Sequence, residues 1–402
     1  MIEFDEALSI VLSAAPGPDG TVEQVLLERA LGRVLAREVR SDVDMPPFDR
    51  SGMDGFAVRA ADTAAVPATL KVVLDVPAGV MPDRAVGPGE AAAVMTGAPV
   101  PEGADAVVQV EWTSGFCGAE VEVHRSVAAG VNISPRAEIV ASGDAVLPAG
   151  KVVGPEEVAL LAATGCDPVP VHPLPRVAVL STGDELVAHT GVPGPGRIRD
   201  SNGPTLAAFL RTLGLEPALA GRVRDDREEM REAIGAALEH DCVLLTGGVS
   251  AGTYDFVEDV LAALGVTIHT RRVAIKPGKP TVFGTRGSCM VFGLPGNPTS
   301  ALVIARVLVA PALRKRMGLP AEPPRRIRAR LAEPIRKKPD RLWFVHGVLR
   351  RGEELEVVPL PSHGAADLAA ASRGECLIMA PRGLEGLPAG AAVDVVVWGW
   401  RP

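Results

Sequence analysis

The middle of the chain, residues 174–317, alternates short apolar runs with segments of helical periodicity. RVAVLS is followed by SNGPTLAAFLRTLG, EPALAGRV by DDREEMREAIGAALEH, and DCVLLTGG by YDFVEDVLAALG. Strand-length apolar runs that alternate with amphipathic segments are typical of a mostly parallel sheet with helices on both faces. The pattern predicts a three-layer α/β domain over residues 174–323, with ligands bound at the carboxyl ends of its strands.

The pattern before residue 174 changes twice. FDEALSIVLSAA and VEQVLLERALGRVLA have apolar residues near helical spacing, and GPEEVALLAATG is helical again, with Pro155 suited to its first turn. Between these segments, β-rich runs such as TLKVVLDV and DAVVQVEW alternate with Pro/Gly turns. We therefore expect a helical domain of residues 1–42 and 143–173, with a β-rich domain of residues 43–142 inserted into it.

The end of the chain is rich in short strand-like runs. LPAEPPRR, residues 319–326, is typical of a linker, and LEVVPL and AVDVVVWG follow it. Short strands separated by turns favour a small barrel or sandwich. We expect a C-terminal β-barrel domain over residues 324–402.

Composition narrows the class of protein. A chain of 402 residues with 47% hydrophobic residues can form two to four globular domains. A net charge of −8 argues against a general nucleic-acid binder but not against an anionic small substrate. The cysteines are scattered and form no CxxC pair, so we expect neither a disulfide framework nor a zinc knuckle; they are Cys117, Cys166, Cys242, Cys289 and Cys376.

The amino-terminal residues and the hydropathy of the chain indicate where in the cell we expect the protein. Acidic residues stand where a signal peptide needs basic ones, and no stretch of 18 apolar residues appears. We expect a cytoplasmic protein that does not bind membranes.

A glycine-rich turn follows the run DCVLLT. Thr246, Gly247 and Gly248 end the strand, and Ser250 and Gly252 precede a helical segment that begins near Tyr254. Glycines let backbone N–H groups approach a ligand closely, and a helix start favours an anion. The pattern indicates an anion cradle of a kind other than the Walker loop, and a strand-to-helix turn without a ligand is the alternative.

The same turn matches the GxSxG motif of α/β-hydrolases at Gly248, Ser250 and Gly252. An acid and a histidine are available at Asp340 and His363, but both fall in the β-rich tail. No HGGG-like oxyanion segment precedes the turn. We therefore disfavour a serine hydrolase.

Two segments whose backbone is restricted by prolines contain further candidate ligand-binding residues. Lys276 and Lys279 in IKPGKP present two ammonium groups on a stiff loop, which suits phosphate or another oxyanion. Pro295, Asn297 and Pro298 in LPGNPTS form a helix start, where Asn297 can cap and Pro298 suits the first turn. A solvated turn and a purely structural helix start are the alternatives.

Carboxylates recur where loops are expected. Several of them near an anion cradle suggest a hard divalent cation such as Mg²⁺, whereas each alone is more often a cap or turn former. They are Asp54, Asp184, Glu185, Asp225, Asp226 and Asp255.

Together these segments resemble the MoeA family, the molybdopterin molybdenumtransferases, whose eukaryotic relatives include the gephyrin E domain. The resembling pieces occur in a fixed order between about residues 45 and 305. They are PPFDRSGMDGFAVRAADT, VMTGAPVPEGADAVV, VLSTGDEL, RDSNGPTLAAFL, VRDD, LLTGGVSAGTYDFV, AIKPGKPTVFG and FGLPGNPTSALV.

The resemblance implies an L-shaped homodimer with four domains per chain, in which the β-rich block of one chain completes the site on the α/β block of the other. It implies adenylylated molybdopterin and molybdate as substrates, Mg²⁺ as the cation, and release of AMP. It also implies transient contacts with a molybdopterin adenylyltransferase and with apo-molybdoenzymes.

The resemblance also assigns residues. The implied catalytic residues are Asp54, Thr96, Glu185, Asp225 and Asp255, of which Asp54, Glu185 and Asp255 would hold the metal. The implied substrate-binding residues are Thr182, Gly183, Gly247, Gly248, Ser250, Gly252, Lys276, Lys279, Pro295, Asn297 and Pro298.

Two segments depart from the family pattern. Residues 136–139 read Arg-Ala-Glu-Ile where the family has an arginine followed by Gly-Glu-Asp, and residues 361–364 read Pro-Ser-His-Gly where a Gly-Ser pair is common. The alternatives to molybdenum insertion are an adenylyltransferase acting one step earlier, a tungstate-inserting paralogue and a non-catalytic dimeric scaffold.

Overall fold

The computed structural model describes residues 1–248 and 257–398. The chain forms two compact units, which we call the larger and the smaller unit. The larger unit comprises residues 1–23, 32–34 and the described residues from 172 onward; the smaller unit comprises residues 24–31 and 35–171. The finer division into four domains stays a prediction. Within the described ranges, no helix is long and apolar enough to cross a membrane.

A six-stranded sheet forms the centre of the larger unit. Its order is Pro217–Val223, Val177–Thr182, Cys242–Thr246, Cys289–Leu294, Val282–Arg286 and Thr267–Thr270. In this sheet, Val282–Arg286 is antiparallel to both of its neighbours, and the other five strands run in the same direction. The central strands are buried on both faces, which explains their continuous apolar sequence. The prediction of a mostly parallel sheet is confirmed.

Helices cover both faces of this sheet. Along the strand Val177–Thr182, Val177 and Val179 belong to one core, whereas Ala178 and Leu180 belong to the other. The predicted three-layer arrangement is thus confirmed. The helices of the larger unit's α/β part are Phe4–Ala14, Asn202–Thr212, Arg227–Ala237, Val257–Ala263, Pro298–Ile304, a π-helical turn Ala305–Val309, and Ala310–Arg316.

The carboxy-terminal part of the larger unit is a closed five-stranded barrel, as predicted. The barrel closes because the strand Leu342–Arg351 pairs with two neighbours. Around the barrel the strands are Leu342–Arg351, Leu355–Pro359, Arg326–Leu331, Ala392–Val397 and Cys376–Ala380. Its short elements are the paired strands Ile335–Arg336 and Gly386–Leu387 and the helix Leu368–Arg373.

Two further short pairings complete the larger unit. The strand Ile275–Lys276 pairs in parallel with the barrel strand Leu342–Arg351. The strands Leu186–Val187 and Ile198–Arg199 pair with each other. The first of these pairings joins the α/β part directly to the barrel.

The smaller unit contains the predicted β-rich block. Its five-stranded sheet has the order Ala106–Gln109, Gly55–Val58, Glu90–Val94, Ala68–Val76 and Glu120–Val123. Its other elements are the strands Val39–Arg40, Arg50–Ser51, Ile133–Ser134, Ala145–Leu147 and Val169–Val171, the helix Pro155–Ala163, and the 3₁₀ turns Leu27–Arg29, Ala60–Thr63 and Val110–Trp112.

The prediction of a helix over VEQVLLERALGRVLA is wrong. This segment forms the short strand Glu23–Val25 and the 3₁₀ turn Leu27–Arg29. Gly32 then adopts φ +76, a left-handed conformation that a helix cannot continue through. Val25 and Leu35 are instead buried in a small core with the strand Val169–Val171, so tertiary packing decides the conformation here.

Candidate functional site

Three neighbouring parallel strands end together in the larger unit, and we call the cluster at their carboxyl ends the strand-end site. The Thr182 hydroxyl donates to the carbonyl of Thr246 at 3.3 Å, and the N–H of Gly247 donates to the carbonyl of Leu294 at 3.2 Å. A Cβ on Gly247 would lie 2.4 Å from the Thr182 carbonyl oxygen, and its φ is +89. Only glycine fits there, so Thr182, Gly247 and Pro295, which follows Leu294, come together as the strand topology requires.

Asn202 adds polar atoms to the strand-end site. Its Nδ2 donates to the Gly296 carbonyl at 2.8 Å, and its Oδ1 is buried with no partner in the part of the chain that the structure describes. The hydroxyl of Thr246 is also buried and has no partner within residues 1–248 and 257–398. Buried orphan polar atoms are uncommon in folded proteins and indicate groups that a ligand can satisfy. Asn202 was not among the predicted site residues, although it lies at a helix start in RDSNGPTLAAFL, one of the segments that resemble the family.

Acidic side chains lie in the loops beyond the same strands. The backbone N–H groups of Asp184 and Asp225 each point toward the other residue's carboxylate at 3.4 Å, and Arg224 lies 3.5 Å from Asp184. Gly183 has φ +146, and a Cβ there would lie 2.5 Å from the Glu185 carboxylate. The structure therefore places Gly183, Glu185 and Asp225 in loops at this edge of the sheet.

Asp226 has a structural explanation. Its side chain accepts hydrogen bonds from the N–H groups of Glu228 and Glu229 and so caps the helix Arg227–Ala237. Asp226 is therefore a helix cap, which was the structural alternative for each of the candidate carboxylates. In residues 1–248 and 257–398, no group of three or more Asp, Glu, His or Cys side chains is arranged to hold a metal.

The glycine-rich turn is only partly described. Gly248, with φ +60, is the last residue described before the gap. Ser250, Gly252, Tyr254 and Asp255 lie outside the described residues. Their predicted roles stay predictions, and so does the rejection of the hydrolase alternative.

A second cluster in the larger unit lines a cavity of about 700 Å³ between the α/β part and the barrel, which we call the cationic pocket. Among the described residues that line it, the cations from both parts outnumber the one acid, Glu333. The residues that matter below are Lys276, Lys279, Pro295, Asn297, Arg336, Arg341, Trp343 and His346.

The two lysines of KPGKP stand on a rigid loop at this pocket. Gly278 has φ +109, and a Cβ there would lie 2.7 Å from the Ile304 side chain, so the loop packs tightly on the helix below it. The Lys276 ammonium lies 3.7 Å from the ring centroid of Trp343. Burial, and then the charge of Arg341, lowers the pKa of Lys276. An anion in the pocket would relieve this electrostatic cost.

The PGNP segment borders both clusters. Pro295 and Asn297 line the cationic pocket, whereas the Gly296 carbonyl between them accepts from Asn202 of the strand-end site. Asn297 occupies the cap position of the helix Pro298–Ile304, but its side chain makes no capping hydrogen bond to the described residues. Its amide is therefore available to a ligand, while Pro298 serves as the first helical residue.

The barrel supplies pocket residues that the sequence analysis missed. Arg336 comes from the short strand Ile335–Arg336, Trp343 and His346 come from the barrel strand Leu342–Arg351, and Arg341 comes from the turn before that strand. No local motif marks them, because closure of the barrel and its pairing with Ile275–Lys276 bring them to the lysines.

The carboxylate of Asp54 has close partners in the smaller unit. Its Oδ1 accepts from the Thr96 N–H at 2.6 Å and from the Thr96 hydroxyl at 2.7 Å. The hydroxyl and then the N–H of Thr96 lower the pKa of Asp54, so this exposed side chain is ionised at neutral pH. Beside it, a Cβ on Gly55 would lie 2.0 Å from the Val108 carbonyl oxygen, so Gly55 serves the packing of the sheet itself.

Family models match most of the chain. Residues 2–165 match the MoeA N-terminal region (domain I and II), residues 178–315 match the probable molybdopterin binding domain, and residues 328–398 match the MoeA C-terminal region (domain IV).

Individual proteins agree with these matches. The chain is 40% identical to a molybdopterin molybdenumtransferase of Nostoc sp. over 324 residues, which cover 78% of this chain and 74% of that one. It is 34% identical to the Staphylococcus aureus protein of the same name over 383 residues, 93% of this chain and 90% of that one. A crystal structure of the molybdopterin biosynthesis MoeA protein from Pyrococcus horikosii superimposes with a TM-score of 0.84 at 33% identity, with 100% of both chains covered. The chain therefore belongs to the MoeA family of molybdopterin molybdenumtransferases.

Proposed function

We propose that the chain is a transferase that inserts molybdenum from molybdate into adenylylated molybdopterin and releases AMP. This proposal rests mainly on one observation: a single loop borders two candidate ligand sites. The strand-end site has orphan polar atoms, the cationic pocket has an excess of positive charge, and residues 295–297 border both.

The strand-end site suits the pterin nucleotide. Glycine turns at Gly183 and Gly247 allow a large planar or phosphorylated group to approach the backbone, and the Asn202 amide and Thr246 hydroxyl can bond to it. We assign Thr182, Gly183, Gly247, Gly248, Ser250 and Gly252 to this substrate.

The cationic pocket suits the metal oxyanion. Molybdate is a dianion, and Lys276, Lys279 and the barrel arginines can neutralise it. Because Pro295 and Asn297 border this pocket, they would hold the oxyanion next to the pterin nucleotide. Bringing two reactants together in this way removes much of the entropic barrier to transfer.

Mg²⁺ would bind with the substrate phosphate. This cation usually takes one or two carboxylates and completes its coordination with phosphate oxygens and water. Glu185 beside Gly183 offers a carboxylate at the strand-end site, and Asp54 and Asp255 are the other proposed ligands. Mg²⁺ supplies charge neutralisation at the phosphate, while Asp225 and Thr96 would orient the groups around it.

The proposal includes an assembly. Asp54 and Thr96 belong to the smaller unit, whereas the lysines belong to the larger unit. We propose a cytoplasmic homodimer in which each site combines the β-rich block of one chain with the α/β block of its partner. Transient contacts with a molybdopterin adenylyltransferase and with apo-molybdoenzymes would supply the substrate and receive the product.

Purified protein incubated with adenylylated molybdopterin, Mg²⁺ and molybdate tests the activity by release of AMP and by metal-bound cofactor. Tungstate in place of molybdate tests the paralogue alternative, because both are tetrahedral dianions of similar size. Absence of AMP release with either oxyanion would contradict the proposed function.

Two lysine variants test the pocket. Lys276→Ala and Lys279→Ala should each weaken oxyanion binding by about 10–100-fold, the usual effect of losing a charge-assisted contact. Lys71→Ala, which removes an exposed lysine from a strand of the smaller unit, is the charge-matched control. If both pocket variants bound the oxyanion as tightly as the wild type does, KPGKP would be a solvated turn and not a binding loop.

A further inference from the structure

His346 is an unused polar group in the cationic pocket. It lies on the barrel strand Leu342–Arg351, lines the cavity and is only 7% exposed. Both ring nitrogens, Nδ1 and Nε2, are buried, and neither has a hydrogen-bond partner among the described residues. Burying such groups without partners destabilises a fold, so an apolar residue would serve packing better at this position.

The packing of the ring orients it. A Cβ on Gly374 would lie 3.0 Å from Nδ1 of His346 and 3.2 Å from its Cβ. The Nδ1 edge of the ring therefore lies close to Gly374, and because both ring nitrogens are buried, a rotation of the side chain would bring a ring N–H to a ligand in the cavity.

The charges around the ring keep it neutral. Burial, and then the positive charge of Arg306, lowers the pKa of His346 to about 4, with Asp367 acting in the opposite direction. The other charged groups that face the pocket are Lys276, Lys279, Glu333, Arg336 and Arg341. His346 is thus a neutral donor within a mostly cationic wall.

We propose that His346 positions the oxyanion in the cationic pocket by donating a ring N–H to one of the oxygen atoms. The inference rests on the proposed function, since it takes the pocket to be the oxyanion site. A neutral donor fixes the direction of approach without adding to the repulsion among the cations around it. Lysines and arginines supply the attraction, and the imidazole supplies orientation.

The proposal has a consequence for pH dependence. A bound dianion beside the ring favours the imidazolium, so the ring takes up a proton more readily with the pocket filled than with it empty. By linkage, oxyanion affinity should rise as the pH falls from about 8 to about 5, and His346 should account for that slope.

The test is oxyanion titration of the full-length protein by calorimetry or by tryptophan fluorescence, since Lys276 sits on the Trp343 ring. Molybdate and sulfate are the two probes, and sulfate does not itself titrate over this pH range. His346→Phe, which keeps an aromatic ring but no donor, should weaken binding by about 10–100-fold without lowering the melting temperature. His346→Gln, which restores a donor of similar reach, should recover most of the affinity but lose the pH slope.

The outcomes separate the two proposals. Oxyanion binding that is unchanged in His346→Phe, or a pH slope that persists in His346→Gln, would overturn the role of His346 and leave the pocket as the oxyanion site. If the wild-type protein bound neither probe, both the assignment of the pocket as the oxyanion site and the role of His346 would be wrong. Should His346→Phe fail to fold, the pH slope of His346→Gln decides alone.

Discussion

Among single residues, Asp54 has two credible roles. Its carboxylate accepts two hydrogen bonds from Thr96, which shows a structural contribution. Both bonds use the same oxygen, Oδ1, which leaves Oδ2 for a cation or for substrate. A structural role needs the acceptor oxygen, whereas a catalytic role needs the charge.

Asp54→Asn separates these roles. The amide oxygen can accept both Thr96 bonds, so we expect the melting temperature to stay nearly unchanged. Loss of the charge should lower turnover by about two orders of magnitude, a typical effect of removing a preorganised electrostatic group. AMP release and thermal unfolding are the measurements. Near-normal AMP release in Asp54→Asn, together with a lower melting temperature in Asp54→Ala, would make the residue a turn cap.

His346 should impose a pH dependence on stability that is independent of any ligand. Its pKa is about 4 in the fold and about 6.5 in an unfolded chain. The unfolded state therefore binds the extra proton first, and stability is lost as the pH falls below about 6.5. Between pH 7.5 and pH 5, the wild-type protein should lose about 2 kcal/mol of unfolding free energy that His346→Phe does not lose.

Urea unfolding at the two pH values measures this difference. Carboxylates titrate in both proteins, so only the difference between wild type and variant reports on His346. Parallel pH profiles would show that the imidazole is solvated in the native state.

The candidate residues differ in how far their sequence could reveal them. Lys276, Lys279 and Asn297 stand in short motifs whose glycines and prolines mark a fixed backbone. Arg341 stands just before an ordinary strand and His346 within it, and the long-range pairing of the barrel with residues 275–276 brings them to the pocket. Local patterns carry no information about such pairings.

At the scale of elements, the hydrophobic pattern predicted helices and strands correctly where the apolar segment was long and uniformly buried. The helices Asn202–Thr212 and Arg227–Ala237 and the strand Cys242–Thr246 appear where their patterns predict them. The pattern failed over residues 22–36, where apolar residues at helical spacing contribute singly to a small core. Periodicity indicates which residues can share a face, but the neighbouring segments decide whether they do.

One departure from the family pattern has a conformational consequence. Ala137, where the resemblance leads one to expect glycine, adopts φ +60 in the turn after Ile133–Ser134. A Cβ is unfavourable in this left-handed region, and glycine is not. Its neighbour Arg136 fixes the turn, because its N–H donates to Asp49 at 2.7 Å and its guanidinium pairs with Asp44.

Ala137→Gly should therefore stabilise the protein by up to about 1 kcal/mol, since relief of the left-handed strain exceeds the entropy gained by the unfolded chain. Ala129→Gly is the matched control, because Ala129 is exposed and does not have a positive φ. That change should destabilise slightly. Chemical denaturation measures both, and a loss of stability in Ala137→Gly would show that the turn relaxes around alanine without strain.

At the scale of the whole molecule, the proposed residues divide between the two compact units. Asp54 and Thr96 are in the smaller unit, and the strand-end site and cationic pocket are in the larger unit. The proposed dimer makes one site from the smaller unit of one chain and the larger unit of the other. A protein of 41.7 kDa per chain should then behave as a dimer in light scattering at micromolar concentration, and a fully active monomer would contradict the shared site.

Mixing two inactive variants gives a sharper test of the shared site. Asp54→Asn disables the smaller unit and Lys279→Ala the larger unit, so each homodimer contains two defective sites. In a hybrid dimer built on two-fold symmetry, one site collects both substitutions and the other collects neither. Random exchange makes about half of the dimers hybrids, so AMP release should recover to roughly a quarter of the wild-type rate. If each chain instead formed its site from its own two units, every site in the mixture would carry one substitution. Activity would then stay at the level of the separate variants, even after subunit exchange had been verified with differently tagged chains.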